Sequence, residues 1–160
     1  MKYRRLRKDE LEELEGEFVK FLASNTVTAD DWVKIKAETP EKAEDLLDMF
    51  SDIVFEKILE KVEYLEHKRP KDFRVYKFLD DKIQMMGMYI KGDAAIDLTK
   101  NESPEKMMTA LHASGGDVQF FSGEKPFKKT KEMEIFQILE EGALISKDPT
   151  LFNTLSALRK

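Results

Sequence analysis

The sequence contains only two histidines, and each has a carboxylate nearby. Glu63 and His67 are four residues apart, so on a helix their side chains would share one face. His112 and Asp117 lie in a second segment and would complete a set of nitrogen and oxygen ligands for a divalent metal ion. The spacing matches neither the HExxH motif nor an EF-hand loop. One hypothesis is therefore a metal-dependent hydrolase built on these four residues, and the alternative is a solvated charged turn.

Other catalytic chemistry lacks the residues that it needs. The chain has no cysteine, which excludes a thiolate nucleophile, an iron–sulfur cluster, a disulfide framework and a Cys-type zinc site. The segment HASGGD brings His112, Ser114 and Asp117 close in sequence, but no nucleophile elbow of the form G-x-S-x-G occurs. Gly115 and Gly116 lack the lysine of a phosphate-binding loop and suit the end of a helix. We therefore assign no catalytic residue and expect no cofactor.

The methionines suggest a different kind of site. Five of the eight lie within 24 residues: Met85, Met86, Met88, Met107 and Met108. Such flexible side chains fill irregular cores, and they also form adaptable binding surfaces. Core filling where a hairpin meets a helix over residues 104–113 is one interpretation. The other is a partner surface, for which the candidates are Met85, Met88, Met107 and Met108.

The net charge of −5 comes from the N-terminal part, because residues 1–62 carry 11 basic and 16 acidic side chains. One basic cluster is MKYRRLRK at the N-terminus. The second cluster is Lys125, Lys128, Lys129 and Lys131, and a basic patch would require these clusters to converge with Lys68, Arg69 and Lys71. The acidic stretch DELEELEGE follows the first cluster and is expected to pair with it. Nucleic-acid binding through these clusters is a third hypothesis, which the acidic balance disfavours.

The first 62 residues are predicted to be helical, since apolar residues recur at spacings of three and four. One helix is expected in DELEELEGEFVKFLASN. Thr28 and Asp31 have the spacing of a capping box. They begin a short helix that is predicted to turn Trp32, Val33 and Ile35 inward.

The longest predicted helix begins at Thr39 as the N-cap, with Pro40 in the first helical position. Its C-terminal end is ambiguous, because the sequence after Val62 fits two patterns. One alternative is a helix that continues to about Leu65, and the other is a strand in which residues 62–67 alternate. The periodicity alone supports both.

The middle of the chain has the composition of a sheet. FRVYKFL and KIQMMGMYIK lie on either side of Asp80-Asp81, which predicts a hairpin. Gly87 within the second run indicates a bulge or a close approach. DVQFF predicts another strand. The string SGEKPF, residues 122–127, is similar to zinc-finger linkers, but without zinc ligands we expect a Ser-Gly turn and an extended Lys-Pro segment.

These elements predict one α+β domain, in which amphipathic helices pack on a small antiparallel sheet. The helical part covers residues 1–62, the hairpin and sheet part with one inserted helix covers 63–127, and C-terminal helices cover 128–160. No apolar run approaches the roughly 18 residues of a membrane span. No secretory signal is evident at the N-terminus. We therefore expect a cytoplasmic protein without a membrane partner.

Three stretches resemble a family of small bacterial proteins of unknown function. They are MKYRRL, the segment FLASNTVTADDWVKIKAETPEKAEDLLDMFSDIVFEKILEKVEYLEH, and GALISKDPTLFNTLSALRK at the C-terminus. The resemblance covers residues 1–67 and the C-terminal helix. It implies a bacterial, cytoplasmic setting and carries over no functional residue. The leading interpretation is a non-enzymatic protein-binding or assembly module, whose partner is another protein or a second copy in a homodimer.

Overall fold

The computed structural model describes residues 1–91, 97–99, 105–106, 109 and 117–159. Within these ranges the chain forms six helices and five strands, which confirms the predicted α+β class. The helices are α1 (Lys8–Glu13), α2 (Glu15–Ser24), α3 (Ala29–Glu38), α4 (Pro40–Leu59), α5 (Lys131–Glu140) and α6 (Thr150–Arg159). The strands are β1 (Tyr64–Lys68), β2 (Asp72–Phe78), β3 (Lys82–Lys91), β4 (Asp117–Pro126) and β5 (Leu144–Ser146).

The chain divides into two compact units, Met1–Leu59 and Glu60–Lys160. We call them the N-terminal unit and the C-terminal unit. The predicted single domain, with its boundaries near residues 62 and 127, stays a prediction. None of the helices in the described ranges is long and apolar enough to cross a membrane.

The N-terminal unit packs α2, α3 and α4 around aromatic rings. Phe18 lies 5.1 Å from Phe50 and 5.2 Å from Trp32 between ring centroids. Thr28 and the residue three positions later form the predicted capping box, and α4 begins at Pro40 as expected. The inward orientation of Val33 was wrong, because its side chain is 62% exposed. Position 33 follows Trp32 by one residue, about 100° around the helix, and therefore leaves the buried face.

The predicted first helix is divided in two. Helix α1 ends at Glu13, and α2 begins at Glu15 after a turn at Leu14. Asn25 ends α2 at the predicted position, and its amide group donates to the carbonyl oxygen of Phe21 at 2.9 Å.

The C-terminal unit contains an antiparallel sheet with the strand order β4-β3-β2-β1-β5. The Asp80-Asp81 hairpin is confirmed, with Phe78 paired to Ile83 on either side of the turn. SGEKPF corrects one prediction, since residues 122–126 continue β4 and pair with β3 without a Ser-Gly turn. Backbone pairing along the whole of β3 outweighs the local turn preference of Ser122 and Gly123.

Residues 64–68 are a strand, which decides the ambiguity after Val62. β1 lies between β2 and β5, and its residues 64–66 pair with strands on both sides. Tyr64 and Leu65 are both buried. Successive residues of a strand lie on opposite faces of the sheet, so burial of both Tyr64 and Leu65 means that both faces are covered at this point of β1.

One face of the sheet is covered by α6. Phe152 and Leu155 belong to the same buried cluster as Phe73, Val75 and Met88. Burial of each large apolar side chain contributes about 1.5–3 kcal/mol, so this layer is a main source of stability in the C-terminal unit. The opposite face contains the polar and aromatic side chains considered below.

Helix α5 is fixed at both ends by specific groups. Thr130 caps its N-terminus and accepts from the amide of Met133 at 3.2 Å. Glu134 is only 5% exposed, and its carboxylate accepts from the amides of Lys128 and Lys129 at 2.7 and 3.1 Å. Gly142 ends the helix with a φ of 113°, a conformation that favours glycine.

Candidate functional site

Glu63 and His67 do not share a compact site, because the segment is extended. On a helix the two side chains would lie about 6 Å apart, whereas four residues of strand separate them by about 13 Å. Glu63 lies at the level of Phe78, whose amide donates to the Glu63 carbonyl at 2.9 Å. His67 lies further along β1, opposite Arg74.

Asp117 lies far from His67 in the sheet. β1 and β4 are separated by β2 and β3, so three strand spacings of about 4.8 Å stand between them. The register places Phe121, and not Asp117, at the level of His67. His112 lies outside the described residues. Within the described ranges no three His, Asp or Glu side chains are grouped to hold a metal ion. The metal site stays a prediction that these positions do not favour.

The methionine candidates separate into two environments. Met88 is 2% exposed and belongs to the core beneath α6, so it offers no surface to a partner. Met85 is half-buried on the opposite face of β3, because residues three apart in a strand point in opposite directions. Met107 and Met108 lie outside the described residues. Of the four candidates, Met85 is the one for which the structure describes an accessible side chain.

The basic N-terminus is bound by acidic side chains of the same unit. Arg5 donates through Nε to Asp48 at 2.6 Å, and the Lys2 amide donates to Asp52 at 2.7 Å. Leu6 donates its amide to Ser51 Oγ at 3.0 Å. The expected pairing of this cluster is present, but its main partner is α4. Asp48, Asp52 and Glu56 are four residues apart and lie on one face of α4, where they contact the basic N-terminal segment.

These contacts shift the ionisation of the groups involved. The hydrogen bond from Arg5 lowers the pKa of Asp48, and the same contact raises the pKa of Arg5. The Tyr3 hydroxyl donates to Glu56 at 2.5 Å and, with Lys2, lowers the pKa of that carboxyl. Basic side chains of the first cluster, such as Lys2 and Arg5, are therefore paired with carboxylates of the same unit.

The second basic cluster does not converge with the basic residues of the β1–β2 turn. Arg69 and Lys71 lie at the β1–β2 turn, whereas Lys125 lies opposite Ile83 near the β2–β3 turn. These turns are at opposite ends of the seven-residue strand β2, about 20 Å apart. The cations therefore lie at separate ends of the sheet.

A mixed aromatic and cationic surface occupies the sheet face opposite α6. Its members lie on three neighbouring strands, and we call them the Arg74 platform: Arg74 and Tyr76 on β2, Met85 and Tyr89 on β3, and Phe121 on β4. The strand register aligns Arg74 with Gly87 and Phe121, and aligns Tyr76 with Met85. Alternation along each strand therefore directs all five side chains to one face.

Gly87 allows the Phe121 ring to lie across the centre of this platform. A Cβ atom at position 87 would overlap Cζ and Cε2 of that ring. The predicted close approach at Gly87 is confirmed, while the register through β3 contains no bulge. The Arg74 guanidinium carbon lies 5.5 Å from the Phe121 ring centroid, and the Tyr89 ring lies at 6.1 Å. Phe121 therefore contacts a cation and an aromatic neighbour.

Arg74 retains its charge although part of its side chain is buried. Burial opposes the charge, but the Tyr76 hydroxyl and the Asp72 carboxylate outweigh it, so the pKa of Arg74 is raised. Arg74 Nε lies 3.5 Å from Asp72 Oδ1. Both atoms are buried, and neither has a hydrogen-bond partner among the described residues. The guanidinium therefore stays charged, while 40% of its side chain is exposed.

A shallow depression of about 300 Å³ adjoins the platform. Arg74, Tyr76 and Met85 line one side, and Gly123 and Lys125 line the edge formed by β4. Gly123 has no side chain to close this edge. The depression thus places two cations beside aromatic and thioether surface, and its lining residues include no nucleophile with an adjacent base.

The sequence reasoning missed Arg74, Tyr76, Tyr89 and Phe121 as a group. The alternation of FRVYKFL places Arg74 and Tyr76 on one face, which was a usable signal. Their alignment with β4 was hidden, since it depends on the β3–β4 register.

Comparisons with known proteins identify the family but no function. No curated protein matches the sequence. No solved structure matches it either. The suspected membership of a family of unknown function is confirmed, and the match extends beyond the stretches that suggested it. The chain belongs to DUF6495, a family of unknown function that matches residues 1–160.

Proposed function

We propose that this protein is a non-enzymatic binding module whose partner is another protein that docks on the Arg74 platform. The observation that carries the proposal is the position of the Arg74 guanidinium beside the Phe121 ring, 5.5 Å from its centroid. Arginine, tyrosine, phenylalanine and methionine are enriched at protein interfaces, and arginine and tyrosine dominate their binding energy. Tyr89 is 37% exposed, and the rest of the platform is half-buried.

The charges of the depression indicate the chemistry of the partner. Arg74 and Lys125 lie at its border, while Glu124 is neutralised by Lys82 at 2.8 Å. A partner segment that carries a carboxylate next to an apolar side chain would satisfy both features. The carboxylate would pair with the guanidinium fork, and the apolar group would contact Met85 and Phe121.

Affinity capture followed by direct binding tests this proposal. The wild-type protein and the Arg74→Ala and Met85→Glu variants would be immobilised and exposed to lysate, and captured proteins would be identified by mass spectrometry. A captured protein would then be purified and titrated by calorimetry. Loss of a central interface residue costs about 2 kcal/mol or more, so we expect both variants to bind at least about thirtyfold more weakly.

The matched control is Leu144→Ala. Leu144 is 70% exposed on β5, at the other edge of the sheet from β4. This variant should bind the partner as the wild type does. Equal affinity of wild type, Arg74→Ala and Met85→Glu for the purified partner would refute the platform as the docking surface. Circular dichroism and thermal unfolding would show that each variant is folded.

A second candidate function is supported by the three rings alone. Tyr76, Tyr89 and Phe121 lie on adjacent strands, and bases of single-stranded nucleic acid stack on such sheets. The neighbouring carboxylates Asp72 and Asp117 disfavour it, because phosphate binding needs a basic surface. Titration with a single-stranded oligonucleotide at several salt concentrations separates the two candidates. Tight binding that weakens steeply with salt would favour nucleic acid over a protein partner.

A further inference from the structure

β4 forms one edge of the sheet and has ten residues. In the described part of the chain, no strand pairs with its outer side. Residues 122–126 are all exposed. Alternate residues of an edge strand direct their N–H and C=O groups outward, where another strand can pair with them. A long edge of this kind is a template for strand addition.

The sequence of β4 is complementary to itself in one antiparallel register. Two copies related by a twofold axis perpendicular to the sheet keep the same faces, so odd-numbered residues lie opposite odd-numbered residues. With the axis at Phe121, Asp117 lies opposite Lys125 of the second copy. Gln119 then lies opposite Gly123, and Phe121 lies opposite its own counterpart. Both charged side chains are exposed, and no other described residue forms an ion pair with either.

The neighbouring register is less favourable. With the axis at Ser122, Lys125 would lie opposite Gln119, and both cross-strand charge pairs would be lost. Pro126 would also enter the paired region, although it has no N–H to donate. With the axis at Phe121, Pro126 lies just beyond the ladder of nine residue pairs, from 117 to 125 on each copy.

We propose that two copies of this chain associate through their β4 strands, antiparallel and centred on Phe121, to form one continuous sheet. The proposal goes beyond the docking of a partner on the Arg74 platform and does not depend on it. Two Asp117–Lys125 pairs, one on each side of the axis, determine the register. Main-chain hydrogen bonds between the strands supply affinity.

Charge exchange at two positions tests the register. In a dimer of Asp117→Lys, a lysine at position 117 lies opposite Lys125 at both pairs. In a dimer of Lys125→Asp, an aspartate at position 125 lies opposite Asp117 at both pairs. Because two attractive pairs become two repulsive ones, either variant alone should dimerise on the order of tenfold more weakly by sedimentation equilibrium. A mixture of the two variants should form heterodimers with wild-type affinity, since both pairs then have opposite charges. Lys147→Asp, beyond β5, is the control and should dimerise normally.

Hydrogen exchange gives an independent measurement on the unmodified protein. The amides of residues 117–125 should become more protected as the protein concentration rises, while those of β5 should not change. A wild-type protein that sediments as a monomer at about 1 mM would overturn the proposal, and so would a mixture of variants no tighter than each alone. A monomer that still binds a partner through Arg74 would leave the proposed function standing, so the two failures are distinguishable.

Discussion

Replacing Gly87 by alanine should destabilise the C-terminal unit because the new methyl group meets the Phe121 ring. The Cβ position lies closer than van der Waals contact to three ring carbons of Phe121, so the ring must leave its site over β3. Overpacking of this kind costs about 1–3 kcal/mol. Alanine also restricts the unfolded chain, which contributes about 0.4–1 kcal/mol in the opposite direction. Gly87 has no left-handed φ, so alanine causes no additional backbone strain. The net loss is expected to be about 1–2 kcal/mol.

A double-mutant cycle isolates the contact with the ring. In a Phe121→Ala background the methyl group has room, so Gly87→Ala should be neutral or should stabilise the protein by up to about 1 kcal/mol. The coupling between the two positions is then about 1–3 kcal/mol. Urea unfolding of the four proteins, followed by circular dichroism, measures each free energy of unfolding.

Gly123→Ala is the matched control, because a Cβ there would meet only Met85 Cε, at 4.0 Å. This substitution should be neutral or slightly stabilising. If Gly87→Ala has the same effect with and without the Phe121 ring, the ring does not lie against Gly87, and the geometry of the platform is refuted. If the coupling is present, Gly87→Ala should also weaken partner binding, because it displaces the ring without removing it.

Three further predictions concern groups outside the platform. Ser51→Ala leaves the buried Leu6 amide without its acceptor and should lower the free energy of unfolding by about 1–3 kcal/mol, measured with urea; a neutral effect would contradict the contact. The hydrogen bond from Arg5 lowers the pKa of Asp48, so this stabilisation is complete above the ordinary carboxyl pKa near 4 and is lost as the pH falls below it. Asp48→Asn should reduce the loss of stability on acidification, and unchanged pH dependence would contradict the pairing. Glu134→Ala should destabilise α5 and speed hydrogen exchange at the two lysine amides that precede it, whereas unchanged exchange would contradict the buried contact.

Local chemistry made much of the helical architecture predictable. Thr28 and Asp31 form the capping box of α3, and Pro40 is the first residue of α4, so both helix starts are marked by short-range geometry that depends on few distant contacts. The Asp80-Asp81 turn is similarly local. The position of β1 was not predictable, because Val62 to Leu65 fit two periods and only pairing with β2 and β5 selects the strand.

The candidate site was less predictable for the same reason. The sequence spacing of Met85 and Met88 suggested one surface, yet a strand places them on opposite faces, so Met88 joins the core. Glu63 and His67 were predicted to lie close together because residues four apart share a helix face. On a strand, the same two residues are far apart. Phe121 reaches the platform through long-range register, which a single sequence does not specify.

The negative net charge of the protein affects which charged partners it can bind. Residues 1–62 carry the entire net charge of −5, yet the basic N-terminal residues are bound to α4 by Asp48, Asp52 and Glu56. The net charge would therefore repel acidic partners, and the paired basic residues would bind phosphates only weakly. Arg74 differs because its cation is held beside rings that add apolar contact area. In the proposed function, this site would therefore bind an acidic partner through shape and stacking, although the overall charge of the protein repels that partner.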